Sequence, residues 1–330
     1  MIPMPRHCEN KEKGVALVVV LLVVALVSLI ATDLTGRLQR EIRRSANVFD
    51  HQQAQYYTLG AEKFAIAVLQ QSIKDNPERD DLAQAWATQG LYFPVEGGDL
   101  TGAITDMNRC FNLNSIATKQ EGAGLVVDKK SIAYRSYQRL LSLLGLPGGL
   151  SDSLADWLDS DEQVGGIDGA EDLEYELLTP AYRAANGLMI EVSELRLIQG
   201  YTPDVMKKLR PYVCALPEDN WQLNINTIDQ DKPELLAMLI ENLSLSSAAT
   251  ILAERKQSGY DDLASFWQLE AFAGLEIDGQ VKAMVQLDSD YYMLRAKANI
   301  GRGHEGLTSL FKQVNKGKIQ IMWRDFGAVE

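Results

Sequence analysis

The feature that most constrains this chain is an uninterrupted apolar run from Val15 to Thr32. The run is 18 residues long and contains no charged residue and no proline. As an α-helix it would extend roughly 27 Å, which is enough to cross the hydrocarbon core of a bilayer. A surface helix of a soluble protein has one polar side, and this run lacks one. The sequence therefore predicts a single membrane-spanning helix.

The helical pattern continues beyond the apolar run. Apolar residues recur at helical spacing at Leu34, Leu38, Ile42, Phe49, Leu59, Ala65 and Leu69. No proline interrupts the pattern before Pro77, near which a helix must end. We predict one helix from Val15 to about Asp75, about 60 residues and about 90 Å long. Its first third is hydrophobic on every side, and the remainder is amphipathic.

A short polar segment that ends in Lys13-Gly14 precedes the run. The residues after the run, 33–36, do not form the small-residue site at which a secretory signal peptide is cut. A leader that ends in glycine and is followed directly by an apolar helix resembles the type IV pilin-like proteins. The resemblance implies that residues 1–14 are a leader, and that a prepilin peptidase cuts between Gly14 and Val15.

Two residues depart from the usual pilin pattern. Val15 stands where most pilins begin with phenylalanine, and Val19 stands at the fifth mature position, where most have glutamate. The pilin-like family that typically lacks this glutamate and is unusually large is minor pseudopilin K of the type II secretion system. The chain resembles that family over essentially its whole length.

The resemblance implies a role and a location. The expected protein is a non-enzymatic subunit at the tip of the periplasmic pseudopilus, bound to minor pseudopilins I and J and acting with other type II secretion components in protein export. It would cross the inner membrane once, with the bulk of the chain in the periplasm. The charge rule for orientation does not decide this point, since three basic residues precede the span and four arginines follow it closely.

The C-terminal segment shows the clearest strand pattern. Apolar and polar residues alternate from Tyr292 to Ile300, from Leu307 to Val314 and from Ile319 to Trp323, with glycine-containing turns between them. This pattern predicts a three-stranded antiparallel meander, and residues 92–95 and 99–106 predict two further strands after a short helix within residues 80–88. A long helix packed on such a sheet is an α+β, type IV pilin-like fold.

A mostly helical region separates the early strands from the meander. Helices are predicted at Tyr134–Leu144, Leu150–Leu158, Val192–Ile198, Pro203–Leu209, Pro233–Leu243, Leu245–Gln257 and Asp261–Phe266. The predicted domains are a transmembrane part at 15–33, a pseudopilin α/β domain at 34–114 and 281–330, and an inserted all-α domain at 115–280.

Part of the insertion is similar to a helix-hairpin-helix, or SAM-like, module. The motif Leu-Asn-Ile-Asn-Thr at 223–227 precedes two helices that end at Arg255. The hairpin at 241–247 contains no glycine and carries the carboxylate of Glu241, so no phosphate site is expected. A formal net charge of −13 also disfavours nucleic acid as a partner.

An acidic segment within the insertion is a candidate metal site. Seven carboxylates and three glycines lie within residues 159–174, and calcium takes several oxygen ligands from flexible loops of this kind. The spacing is not that of an EF-hand, and composition alone favours a solvated acidic surface. The resemblance to pseudopilin K implies calcium, with Asp159, Asp161, Asp168, Glu171 and Asp172 as the predicted ligands.

The cysteines permit two interpretations. Cys8 belongs to the leader, so Cys110 and Cys214 would remain in a compartment where disulfides persist. Both are next to strand-like segments, so a bridge between them is geometrically plausible, and two buried free thiols are the alternative.

Catalysis has little support in the sequence. The three histidines are His7, His51 and His304, and neither a Ser-His-Asp order nor a zinc spacing is present. The alternative function is a signal-anchored periplasmic enzyme or receptor that uses the acidic loop.

Overall fold

The structure is a computed structural model that describes residues 12–315 and 317–327. The predicted leader therefore lies outside the described residues except for its last three positions, and the predicted turn at 315–317 includes Lys316, which also lies outside them.

One helix and one sheet form the first unit. Helix α1 spans Glu12–Asp75. The strands of the sheet are β1 Leu91–Val95, β2 Gly98–Asp106, β9 Tyr291–Ile300, β10 Gly303–Val314 and β11 Lys318–Phe326. They pair in the order β1-β2-β9-β10-β11, antiparallel throughout. The α+β fold predicted from the sequence, a long helix on an antiparallel sheet, is confirmed.

The second half of α1 packs on the sheet through one stripe. Its buried residues are Ala54, Thr58, Glu62, Ala65, Leu69, Ser72 and Ile73, and all but Ser72 follow the three- and four-residue spacing of one helix side. The predicted apolar pattern overstates this contact, because Leu34, Leu38, Ile42 and Phe49 are exposed. The sheet reaches α1 only from about Asp50 onward, so earlier residues have no protein surface to pack against.

The region between β2 and β9 contains most of the remaining helices. They are α2 Ile132–Leu143, α3 Leu150–Leu158, α4 Asp172–Glu176, α5 Pro203–Leu209, α6 Glu234–Leu239, α7 Leu245–Glu254, α8 Leu263–Trp267 and α9 Gly279–Ala283. Short 3-10 helices lie at Ala85–Ala87, Leu113–Ile116, Val192–Leu197, Arg210–Tyr212 and Glu270–Phe272.

The prediction that the inserted region is all-α is wrong. It contains the hairpin β4 Ala117–Gln120 and β5 Gly124–Val127, whose turn uses Gly122 and Gly124 at positive φ. Short parallel pairs join β3 Phe111–Asn112 to β6 Val213–Cys214 and β7 Leu223–Asn224 to β8 Val285–Gln286. Two-residue strands are fixed by tertiary contacts, so helical periodicity does not reveal them.

Several predicted helices are shorter than expected. The segment at 80–88 forms only the turn Ala85–Ala87, and 192–198 forms a 3-10 turn instead of an α-helix. Helix α7 ends before Arg255 because that residue is extended and its buried guanidinium donates to the carbonyls of Ile225 and Ile228. The arginine at this position is therefore a packing residue, with no surface left for a phosphate.

A buried polar network joins the sheet to the helical region. Asp106 Oδ2, at the end of β2, accepts hydrogen bonds from the hydroxyls of Thr227 and Ser289 and from the amide of Asn224, the last at 3.3 Å. Asp80 Oδ2 accepts from the Tyr292 hydroxyl at 2.8 Å and from the Ser289 amide at 3.0 Å.

Candidate metal centre

The candidate centre is built where helix α3 meets the acidic loop. Helix α3 buries almost every side chain and ends at Leu158, so Asp159 follows directly from a fixed helix end. The next residue, Ser160, is tied to the hairpin: its amide donates to the Leu125 carbonyl and its hydroxyl accepts from the Leu125 amide, at 2.9 and 2.8 Å. These contacts hold the first part of the loop in place.

The loop then wraps around the buried carboxylate of Asp156. The amide of Gly165 donates to both oxygens of that carboxylate at 3.0 and 3.1 Å. A Cβ at Gly165 or Gly169 would collide with the Asp156 carboxylate, so glycine is needed for this close approach. Asp156 was not among the predicted site residues, although its position three residues before Asp159 places both on one side of α3.

Three carboxylates converge at the centre. One oxygen from each of Asp159, Asp161 and Glu171 lies within 4.8 Å of the others. Glu171 is buried, Asp159 is half-buried and Asp161 is exposed, so the group opens to solvent on one side. These residues come from the two ends of the loop, and the fold brings them together.

Two of these carboxylates have buried oxygens without a hydrogen-bond partner. Both side-chain oxygens of Glu171 and the Oδ1 of Asp159 are buried without one among the described residues. An unpaired buried carboxylate is costly, and a bound cation is one of the few groups that compensates it.

The electrostatics of the cluster follow from this burial. Burial, followed by the charge of Asp161, raises the pKa of Asp159 to about 7. Burial, followed by the charge of Asp156, raises the pKa of Glu171 to about 8. A divalent cation would reverse this effect by stabilising the ionised carboxylates. The donor set of hard oxygens suits calcium or magnesium and not a metal that prefers nitrogen or sulfur.

The other two predicted ligands lie apart from the cluster. Asp168 lies against Gly149, at the start of α3. Asp172 accepts a hydrogen bond from the Ala184 amide at 3.0 Å and lies 3.6 Å from the Arg183 guanidinium. The structure thus brings together three of the five predicted ligands.

The second site predicted from the sequence is a disulfide. Cys110 and Cys214 are joined, with Cα atoms 5.9 Å apart and a sequence separation of 104. The bond lies next to the paired strands β3 and β6, between the start and the middle of the helical region.

The third site predicted from the sequence is the cleavage junction between Gly14 and Val15, which lies within α1. A Cβ at Gly14 would meet no atom within 4 Å, and Val15 is exposed. Among the described residues, no contact therefore requires glycine at this position. Helix α1 is long and apolar enough to cross a membrane, and no residue of its most apolar stretch of 18 residues is buried.

The fold and the exposed apolar helix define a pilin-like, membrane-anchored subunit. Two family models described as type II secretion system protein K match residues 109–218 and 223–288. Protein K of Aeromonas hydrophila is 35% identical over 97% of this chain and 99% of its own length. Protein K of Pseudomonas aeruginosa is 36% identical over 96% of this chain and 93% of its own length.

A solved structure agrees with the sequence relatives. A chain of the GspK-GspI-GspJ complex from the type 2 secretion system of enterotoxigenic Escherichia coli is similar with a TM-score of 0.76 and 28% identity. The similarity covers 87% of this chain and 100% of that one. The chain belongs to the type II secretion system protein K family. It is a minor pseudopilin, and the predicted role in secretion is confirmed.

Proposed function

We propose that this protein caps the tip of the pseudopilus and binds minor pseudopilins I and J there. The observation that carries the proposal is the similarity, over 87% of this chain, to a chain of the GspK-GspI-GspJ complex. The chain acts by assembly and not by turnover: before assembly α1 anchors it in the inner membrane, with the bulk of the chain in the periplasm. In the filament, the uncovered apolar surface of residues 15–30 packs against neighbouring helices.

Val19 supports a terminal position in the filament. In the pilin family the glutamate at the fifth mature position pairs with the N-terminal amine of a neighbouring subunit, and valine cannot make that pair. The large helical region between β2 and β9 also suits a tip, because copies of it stacked along a narrow fibre would collide.

Calcium is the second part of the proposal. Asp159, Asp161 and Glu171 would hold the ion, and when bound it would supply the positive charge that their buried oxygens otherwise lack. The acidic loop would then connect α3 to α4 without mutual repulsion of its carboxylates.

Processing of the N-terminus tests the assignment. Cells that contain the prepilin peptidase should yield a mature chain that begins at Val15, with or without N-methylation, by mass spectrometry of the intact protein. The Gly14→Ala variant should keep its leader, because the peptidase requires a residue with almost no side chain at the cut. A Gly14→Ala chain of normal mature mass would contradict pilin-type processing.

A further inference from the structure

The segment of α1 between the membrane and the sheet carries an unusual band of charge. Arg37, Arg40, Arg43 and Arg44 lie within eight consecutive residues, and all four are exposed. They begin only five residues after the apolar run ends at Thr32. We call these four residues the arginine band.

The arginine band faces the same side of α1 as the sheet. Starting from Arg37, steps of three and four residues pass through Arg40, Arg44, Asn47 and His51 and reach Ala54 and Thr58, which are buried against the sheet. The sheet first reaches α1 at Asp50, where the Arg302 amide donates to Asp50 Oδ2 at 3.1 Å. The band therefore lies between the lower end of the sheet and the membrane.

Distances along the helix place the band at the lipid headgroups. At about 1.5 Å per residue, Arg37 lies about 8 Å and Arg44 about 18 Å beyond the end of the apolar run. Helical side chains tilt toward the N-terminus of their helix, which here is the membrane side. A headgroup layer about 5 to 8 Å thick is thus within direct reach of the extended guanidinium groups of the first two arginines. The guanidinium groups of Arg43 and Arg44 reach to within about one screening length of the outer edge of that layer.

The guanidinium groups are also available for a ligand. Arg37 pairs with Asp33 at 2.9 Å. The side chains of Arg40, Arg43 and Arg44 make no hydrogen bond or ion pair with any residue of 12–315 or 317–327. Guanidinium is the side-chain group that best matches phosphate, because its planar fork donates two parallel hydrogen bonds.

We infer that the arginine band binds the phosphate groups of anionic phospholipids in the leaflet that faces the folded part of the chain. The rest of the protein gives a physical reason. The net charge of the chain is −13, so the folded part would be repelled by an anionic membrane surface, and the band lies between the two. The inference rests only on the membrane-spanning role of α1 and not on assembly with other pseudopilins.

The test is lipid selection by the full-length protein. The protein is reconstituted in nanodiscs of phosphatidylcholine with a minor fraction of phosphatidylglycerol, and the lipids it retains after purification in detergent are quantified by mass spectrometry. Wild type should enrich phosphatidylglycerol over its share in the nanodisc. The Arg40→Gln, Arg43→Gln, Arg44→Gln variant should lose about fivefold or more of that enrichment, since an arginine at the surface contributes about fivefold and Arg40 lies there.

A control variant removes the same number of positive charges at sites far from the arginine band. Arg135→Gln, Arg196→Gln, Lys207→Gln removes three exposed cations of the helical region and should leave the enrichment unchanged. A variant with lysine in place of Arg40, Arg43 and Arg44 keeps the positive charge and should retain most of the phosphatidylglycerol enrichment. Raising the salt toward molar concentration should weaken the enrichment, because the screening length falls from about 8 Å to about 3 Å.

Three results would overturn the inference: no enrichment by wild type, equal enrichment in the glutamine and wild-type chains, or equal loss in the glutamine and remote variants. Resistance of every variant to alkaline extraction from membranes is measured in parallel. If a variant loses lipid selection but still resists extraction, the loss is caused by the arginine band and not by failed insertion. If alkali extracts the wild type, membrane anchoring itself is contradicted.

Discussion

At the scale of single residues, the carboxylates of the acidic loop fall into different roles. Asp156 is satisfied by loop amides and shapes the loop, whereas Glu171 and Asp159 retain buried oxygens without partners. Asp168 lies against Gly149, away from the cluster. Burial and unpaired oxygens thus distinguish candidate ligands from neighbouring acids that composition treats as equal.

The first prediction separates these roles. Calcium should raise the melting temperature of the detergent-solubilised full chain relative to EDTA. At a hundredfold excess over Kd, binding adds about 2.7 kcal/mol to the free energy of unfolding. Magnesium should raise it less, since it prefers a small octahedral shell and releases water reluctantly. Glu171→Gln should abolish the calcium effect, and Asp168→Asn, outside the cluster, should preserve it.

The opposite outcome is equally informative. If Asp168→Asn removes the calcium effect and Glu171→Gln keeps it, the ligands are on the other side of the loop. Identical melting curves in EDTA and calcium would mean that the loop is a solvated acidic surface.

At the scale of elements, one buried charged residue of α1 contacts two strands of the sheet. Glu62 lies within the buried stripe of α1, and its carboxylate accepts two hydrogen bonds from the Arg324 guanidinium, both at 2.7 Å, and one from the Ser309 hydroxyl at 2.6 Å. Ser309 is on β10 and Arg324 on β11. A buried glutamate therefore fixes both the rotation of α1 and its position along the sheet.

The second prediction concerns this ion pair. Glu62→Gln should destabilise the fold by about 2 kcal/mol, because one of the two hydrogen bonds from Arg324 is lost and the other no longer joins two opposite charges. The Arg324 side chain is 42% exposed, so the expected loss of stability is smaller than for a fully buried ion pair. Urea denaturation of the full chain in detergent measures it, with Glu41→Gln, exposed on the same helix, as the control. Equal stability of the two variants would contradict a positioning role for Glu62.

At the scale of the whole molecule, the sheet and the helical region are joined by the polar network around Asp80 and Asp106. Burial is the main cause of the raised pKa of both groups, and the charge of Asp106 adds to the effect at Asp80, whose pKa is about 7. The folded state thus holds protons that the unfolded state has already released above about pH 4. The stability contributed by this network is fully present at low pH and is lost as the pH rises through about 7.

The third prediction is a pH dependence carried by Asp80. Asp80→Asn keeps an oxygen that accepts from the Ser289 amide and the Tyr292 hydroxyl but cannot ionise. Its unfolding free energy should therefore fall less than that of wild type between about pH 5.5 and pH 8. Denaturant titrations across this range measure the difference, and Asp325→Asn, at an exposed position, should follow wild type. An unchanged slope in Asp80→Asn would show that this group does not titrate in the range.

The fourth prediction concerns the disulfide. Closing a loop of about 100 residues stabilises the folded state by about 4 to 5 kcal/mol in the chain-entropy model, before any strain. The Cys110→Ala, Cys214→Ala variant should lose a comparable amount, measured by denaturation without reductant. Alkylation of the unfolded, non-reduced wild type should modify neither cysteine, and modification of both would show that the bridge is absent from the protein in solution.

Properties that depend on neighbouring residues along the chain were predictable from sequence. The apolar run, the unbroken pattern up to Pro77 and the alternation in the C-terminal segment predicted α1 and strands β9 to β11, because helix and strand periodicity are local. The Gly14-Val15 junction and the missing glutamate at Val19 indicated the protein family, which the comparisons confirm. The pattern of α3 also predicted that helix from Leu150 to Leu158.

Only the tertiary structure decided which of these residues meet. Composition could not separate Glu171 from Asp168, because the difference is a distance between the two ends of a folded loop. The hairpin β4–β5 and the two-residue strands β7 and β8 escaped prediction for the same reason: their pairing partners are fixed by packing and not by local preference. The side of α1 that faces the sheet, and with it the position of the arginine band beneath the sheet, likewise follows from packing, since a helix alone does not determine which of its sides will be covered.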